Sequence, residues 1–263
     1  MRVRGGYTRL NKLKAARLLL EDNGLQWSTY FLASYVLENT IDLLHNRMRA
    51  LERCHNLPGS NSVGLNYEKW QSWDWSKLGE EWTPSAEWKE SVIRDVLEKY
   101  LAPNGTILEI GPGGGRWTEP LQRIAARLVV VDLSDKCIEV CKSRFAHCAN
   151  IEYFVTQGSE LHFIKSNTID AVWSFDVFVH LSLQDTESYL SEMERVLRRG
   201  GKGIIHHPKD GGWRNRMTAR LFADSVSRLG LVVKQQFDSW GTDEKFNLRH
   251  HGPHGAMITV FEK

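Results

Sequence analysis

Between Thr106 and Asp132 the chain runs apolar, then glycine-rich, then amphipathic, then apolar again, and few folds accommodate that order. Thr106–Ile110 reads as a strand, Glu109-Ile110-Gly111-Pro112-Gly113-Gly114-Gly115 as a turn, Trp117–Ile124 as a helix and Leu128–Asp132 as a second strand. A glycine-rich turn between strand and helix points main-chain amides at whatever binds there, and the missing Cβ atoms admit a close approach. The place is the crevice at the carboxyl ends of the strands, where open α/β sheets bind their ligands. Asp132, closing the second strand, can accept both hydroxyls of a ribose.

The alternation continues. Asp135–Phe145 reads as a helix, Ile151–Thr156 and Ile169–Phe175 as strands, Leu183–Leu197 as a helix closed by Gly200-Gly201, and Lys202–His206 as a strand. Arg214–Leu229 is expected as a helix, Leu231–Asp238 and Ala256–Glu262 as strands. That spacing predicts a doubly wound, seven-stranded, mostly parallel sheet with helices on both faces and a last strand that runs antiparallel after a long hairpin around 241–255.

Two cofactor classes use such a turn. A dinucleotide needs a third glycine where this chain has Arg116, and Glu109 would repel a pyrophosphate while suiting an ammonium group. Glu-x-Gly-x-Gly-x-Gly followed by Asp132 resembles the class I S-adenosylmethionine-dependent methyltransferases, from about Ser85 to the C-terminus. The resemblance implies a Rossmann-like fold, S-adenosyl-L-methionine as cofactor, and a binding set of Glu109, Gly111, Pro112, Gly113, Asp132, Leu133, Ser159, Glu160 and Phe175. Ser159 stands where the family usually places an acid facing the adenine, and Arg199 where proline is usual.

Methyl transfer asks little acid–base chemistry of a protein unless the acceptor is a hydroxyl, which needs a base within hydrogen-bond reach. Asp176 and His180 supply candidates: on a helix they would lie four apart on one face, the carboxylate orienting the imidazole. His180 is either that base or a wall of the pocket. His206 and His207 end a strand on the ligand edge, and His250, His251 and His254 precede the last strand. No pair of them is expected on a helix as a metal motif, and histidine is a poor magnesium ligand, so no metal site is expected.

From Tyr67 to Trp88 the chain carries Trp70, Trp73, Trp75, Trp82 and Trp88, at spacings that fit neither helix nor strand. These rings are expected as a lid over the cofactor and a platform for the acceptor. A helix is expected to begin at Thr83-Pro84 and to end near Tyr100. Before the turn-rich Pro58–Ser62 stretch, residues 27–55 read as a helix with Leu37, Ile41, Leu44, Met48 and Leu51 at heptad spacing, serving self-association or packing within the chain equally well. The expected division is therefore a helical extension, 1–60, and a catalytic domain, 61–263, with its lid at 67–88.

Composition narrows the partners. With 34 basic and 32 acidic residues the net charge is +2, and no basic stripe beyond the first twenty residues suggests nucleic acid. Those first residues are basic, as a solvated tail or as a peripheral contact with anionic lipid. No run approaches the ~20 apolar residues of a membrane span. Four cysteines without a CxxC pair suit a reducing cytoplasm. The acceptor is expected to be a small molecule or a glycan: a hydroxyl, with a sugar hydroxyl favoured by a looser likeness to enzymes that methylate surface polysaccharides. An amino-sugar or small amine is the alternative, and a non-catalytic cofactor-binding subunit a further one.

Overall fold

The computed structural model describes residues 9–211, 215–248 and 255–263, with only the backbone described for 9–24, 31 and 35. The chain divides into two compact units, 1–57 and 58–263.

The first unit is one helix, α1 (Arg9–His55), longer than the expected 27–55. Its early residues are mostly Leu, Ala, Lys and Arg, which are strong helix formers, so the helix extends back through the basic segment. No helix among the described residues is long and apolar enough to cross a membrane.

The second unit opens with α2 (Val63–Ser72), capped by Ser62, whose hydroxyl accepts from Leu65 N. Helix α3 (Ala86–Val92) continues through a π-turn at Ile93–Leu97 to Tyr100. Its cap is Ser85, not Thr83: the Ser85 hydroxyl takes Trp88 N, while Thr83 spends its hydroxyl on Glu80. Then follow β1 (Thr106–Ile110), α4 (Thr118–Ile124), β2 (Arg127–Asp132), α5 (Asp135–Arg144), β3 (Ile151–Val155), β4 (Ile169–Ser174), α6 (Leu183–Val196), β5 (Leu197–Pro208), α7 (Ala219–Arg228), β6 (Val232–Phe237) and β7 (Ala256–Glu262).

These seven strands form one sheet in the order β3-β2-β1-β4-β5-β7-β6. The first five are parallel and β7 runs antiparallel to both its neighbours, as expected. Strand β2 shows why the sheet is covered on both faces: Leu128 through Val131 are all buried. Leu128 and Val130 join one core layer, with Trp88, Val96, Leu121 and Trp173, while Val129 and Val131 join the other, with Leu190, Met193, Phe222 and Phe261.

One further boundary departs from the sequence reading. Helix α7 begins at Ala219, not Arg214, because Thr218 caps it by accepting from Leu221 N. The long hairpin joins β6 to β7 as expected, and the described part of its connection adds a two-residue ladder joining Ser239–Trp240 to Phe246–Asn247. Strand order reverses between β1 and β4, which opens the crevice where the ligand site is expected.

Candidate functional site

The glycine loop leaves β1 and is pinned from both sides. Gly111 N donates to Val131 O at 2.8 Å, and Gly115 N to Pro112 O at 2.9 Å. Asp132, 8% exposed, accepts from Ser134 N at 2.9 Å and more weakly from Gly113 N at 3.4 Å. Burial raises its pKa from 3.8 to about 6 against those hydrogen bonds.

Gly111, Pro112, Gly113, Asp132, Leu133, Ser159 and Phe175 all line one cavity, together with Asp176 and His180. Two residues of the expected binding set lie elsewhere. Glu160 is exposed, 3.9 Å from His162. Glu109 is buried behind the loop, where it accepts from Thr118 Oγ1 at 2.6 Å. Burial pushes its pKa up from 4.5 to about 8, so the carboxyl is largely protonated at neutral pH. Asp185 and Tyr189 also line the cavity and were not singled out from sequence. Their signal was the capping pattern Ser182-x-x-Asp185, which the structure uses: Asp185 N donates to Ser182 Oγ at 3.0 Å.

The glycines make room for protein as well as for a ligand. A Cβ on Gly113 would lie 2.8 Å from the Trp75 ring, and one on Gly114 2.6 Å from the Leu78 backbone. The segment from Pro58 to Thr83 therefore docks directly on the loop. It is fastened at several points: Asn66 Nδ2 to His180 O (2.7 Å), Ser134 Oγ to Gln71 Oε1 (2.7 Å) and Lys136 Nζ to Trp73 O (2.8 Å). Trp70, Trp73, Trp75 and Trp82 pack with ring centroids 5.3–6.1 Å apart. Trp88 is not among them. It lies in the core against Trp117, Phe175 and Trp240, its indole N–H donating to Asn247 O.

Beside the first cavity lies a more open one, walled by Lys69, Trp70, Trp73, Glu81, Trp82 and Thr83. Four residues line both: Trp70, Trp82, Asp176 and His180.

Asp176 and His180 do not form the expected helical pair. Asp176 sits at φ 62°, and Phe178–His180 is a single 3-10 turn, so the chain reverses where a helix was expected. A non-glycine residue in the left-handed region stores strain of order 1–3 kcal/mol, which its partners must hold. Here Asp176 Oδ2 meets Arg116 Nη2 at 2.5 Å, Oδ1 lies 3.2 Å from His206 Nδ1, and Asp176 N donates to that nitrogen at 3.1 Å. The orienting residues are thus Arg116 and His206. His180 instead sets its ring edgewise to Trp70 at 5.1 Å.

His206 stacks on Phe175 at 4.3 Å. His207 is buried away from the crevice between Thr259 and Phe222, and burial lowers its pKa to about 4. His250, His251 and His254 lie outside the described residues. Among the described residues no three metal-ligating side chains cluster.

The cavity suits S-adenosylmethionine by the chemistry of its donors and acceptors. A buried carboxylate at the end of β2 faces it for a ribose, apolar Leu133, Val131 and Phe175 give a slot for a flat ring, and buried N–H groups of Arg116 and Trp117 border it without a partner among the described residues.

Comparison with known proteins agrees. Residues 108–205 match the methyltransferase domain family. Phosphoethanolamine N-methyltransferase 1 of Caenorhabditis elegans is 34% identical over 151 residues, 57% of this chain and 28% of that one. An uncharacterized methyltransferase of Bacillus cytotoxicus is 26% identical over 116 residues, 44% of this chain and 51% of the other. The matches thus span about a quarter to a half of the lengths of these relatives.

Among solved structures, a TehB-like methyltransferase from Corynebacterium glutamicum superimposes with TM-score 0.55 at 21% identity, covering 75% of this chain and 96% of that one. Geranyl diphosphate C-methyltransferase from Streptomyces coelicolor, solved with S-adenosyl-L-homocysteine, gives 0.56 at 15%, covering 78% and 98%. At these identities the structural likeness speaks for the fold.

Proposed function

We propose that this chain, whose residues 108–205 match the methyltransferase domain family, uses S-adenosylmethionine to methylate a hydroxyl of a small molecule, sugars included, seated in the tryptophan-walled vestibule. The observation that carries this reading is the junction: Asp176 and His180 line both the cofactor cavity and the vestibule, with Trp70 and Trp82 around them. Methyl transfer needs donor and acceptor side by side and in line, and two adjoining cavities with shared walls give them neighbouring seats.

When bound, the cofactor supplies an electrophilic methyl group on a sulfonium. Asp132 would receive the ribose hydroxyls, the loop amides and Leu133 would form the floor, and Ser159 with Asp185 would take the adenine side. For a hydroxyl acceptor, His180 would take the O–H proton. Asp176 is engaged by Arg116. The ring faces of Trp70 and Trp82 give a sugar's C–H surface an apolar platform.

A second reading has its own support. Asp176 and Glu81 put two carboxylates in the wall of the same tryptophan-lined vestibule, a combination that also attracts ammonium groups, and the Caenorhabditis elegans relative is a phosphoethanolamine N-methyltransferase. Incubating the protein with isotopically labelled cofactor and metabolite pools, then fragmenting the labelled product, tests both. A methyl ether, lost in the His180→Ala variant, supports the first reading. A methylated amine made equally by that variant replaces it with the second.

A further inference from the structure

Arg116 occupies the position that excludes a dinucleotide, and the sequence offered it no other part. Its side chain does not point to solvent. It is 3% exposed, with the guanidinium 5.1 Å from the centre of the Trp117 ring and 5.7 Å from that of Phe175. One arm is spent: Nη2 bonds Asp176 Oδ2. The other arm, Nη1, is buried with no partner among the described residues, and so is the indole Nε1 of the neighbouring Trp117, itself 3% exposed. Both residues border the cofactor cavity. A buried guanidinium with an unmet N–H, beside a second unmet donor, is costly unless a ligand completes it.

We propose that Arg116 couples the two halves of the site. Nη1, with Trp117 Nε1, receives the carboxylate at the amino-acid end of the cofactor, while Nη2 holds Asp176, so two carboxylates share one cation. The inference rests on the cofactor reading above. Its consequence is an order of assembly. In the free protein Asp176 is the carboxylate that neutralises a buried cation. Once the cofactor's carboxylate takes a share of that charge, Asp176 is less compensated and attracts an acceptor's proton or cationic group more strongly. Cofactor loading thereby prepares the vestibule, and by reciprocity a bound acceptor tightens the cofactor. Asp176 acts on the cofactor as a positioning residue, through Arg116.

The coupling has a signature that direct contact would not give. Removing the Asp176 charge leaves Arg116 a buried cation with no counter-ion, which destabilises the free protein and makes an incoming carboxylate more welcome. Calorimetric titration with S-adenosylhomocysteine and with 5′-methylthioadenosine, which lacks the amino-acid end, reads this without turnover. For Asp176→Asn, S-adenosylhomocysteine is expected to bind about fivefold tighter or more, with 5′-methylthioadenosine unchanged. For Arg116→Gln, S-adenosylhomocysteine should weaken by about thirtyfold, again with 5′-methylthioadenosine unchanged. In the double variant the effect of Asp176→Asn on affinity should vanish, since its route is gone. Arg116→Lys, which keeps the charge, serves if Arg116→Gln fails to fold, and should weaken S-adenosylhomocysteine alone.

Weaker or unchanged S-adenosylhomocysteine binding in Asp176→Asn would overturn the proposal, as would equal loss of both ligands in the Arg116 variants. If the unmodified protein bound neither ligand, the cofactor reading itself would be at fault.

Discussion

Glu109 offers a test that separates the electrostatics of the glycine loop from its geometry. The carboxyl is 1% exposed and accepts one hydrogen bond, from Thr118 Oγ1. Burial raises its pKa from 4.5 to about 8. A group whose pKa is raised on folding contributes stability that is complete below its unfolded pKa and is lost as the pH rises toward the folded value. At ~1.4 kcal/mol per pKa unit, folding at pH 7 must take up a proton at a cost of about 3 kcal/mol, and at pH 5 of less than about 1 kcal/mol. Glu109→Gln removes that cost and keeps an oxygen for Thr118. Urea denaturation of both proteins, ligand-free, at pH 5 and pH 7 is expected to show the variant gaining about 2–3 kcal/mol on the wild type between the two. Any steric penalty of the amide is the same at both pH values and cancels in the comparison. A difference that does not change with pH would mean that Glu109 is ionised in the folded protein, and the account of the loop would fail.

Other outcomes follow from the same geometry. Asp132→Ala is expected to weaken S-adenosylhomocysteine binding by about 2–4 kcal/mol in calorimetry, because two charge-assisted hydrogen bonds to the ribose are lost. Gly114→Ala drives a Cβ into the Leu78 backbone and should cost the docked segment about 1–3 kcal/mol, seen as faster S-adenosylhomocysteine dissociation in stopped flow with little change in melting temperature. His207, held near 4 against an ordinary 6.5, contributes stability that is present above pH 6.5 and lost as the pH falls toward 4, so His207→Gln should flatten acid denaturation in that window.

The sheet was legible because its information is local. Continuous apolar runs such as Leu128–Val131 can sit only in a strand covered on both faces, and Gly111 to Gly115 could only turn between strand and helix. The site was legible where a residue's place in a strand decides its direction, as for Asp132 at the end of β2. It was illegible where long-range partners decide. Nothing in the run Asp176-Val177-Phe178-Val179-His180 announces a left-handed backbone at Asp176, because the ion pair that holds it comes from Arg116, sixty residues earlier in the chain. The same holds for Trp88, which looks like its neighbours in composition, yet points into the core because Ser85 starts its helix. The glycines were read as room for a ligand, and protein fills the space that a Cβ would take at each: Val177 at Gly111, Trp75 at Gly113, Leu78 at Gly114 and Phe145 at Gly115.

The tryptophan wall of the vestibule contributes no strand to the sheet. Trp70, Trp73, Glu81 and Trp82 all come from the segment that precedes α3. Trp70, Trp75 and Trp82 of that same segment also line the first cavity, so one stretch of polypeptide outside the sheet borders both. An exchange of that segment would therefore alter both cavities together, and the incoming chain would have to keep a ring and a main-chain turn that fit against two bare glycines.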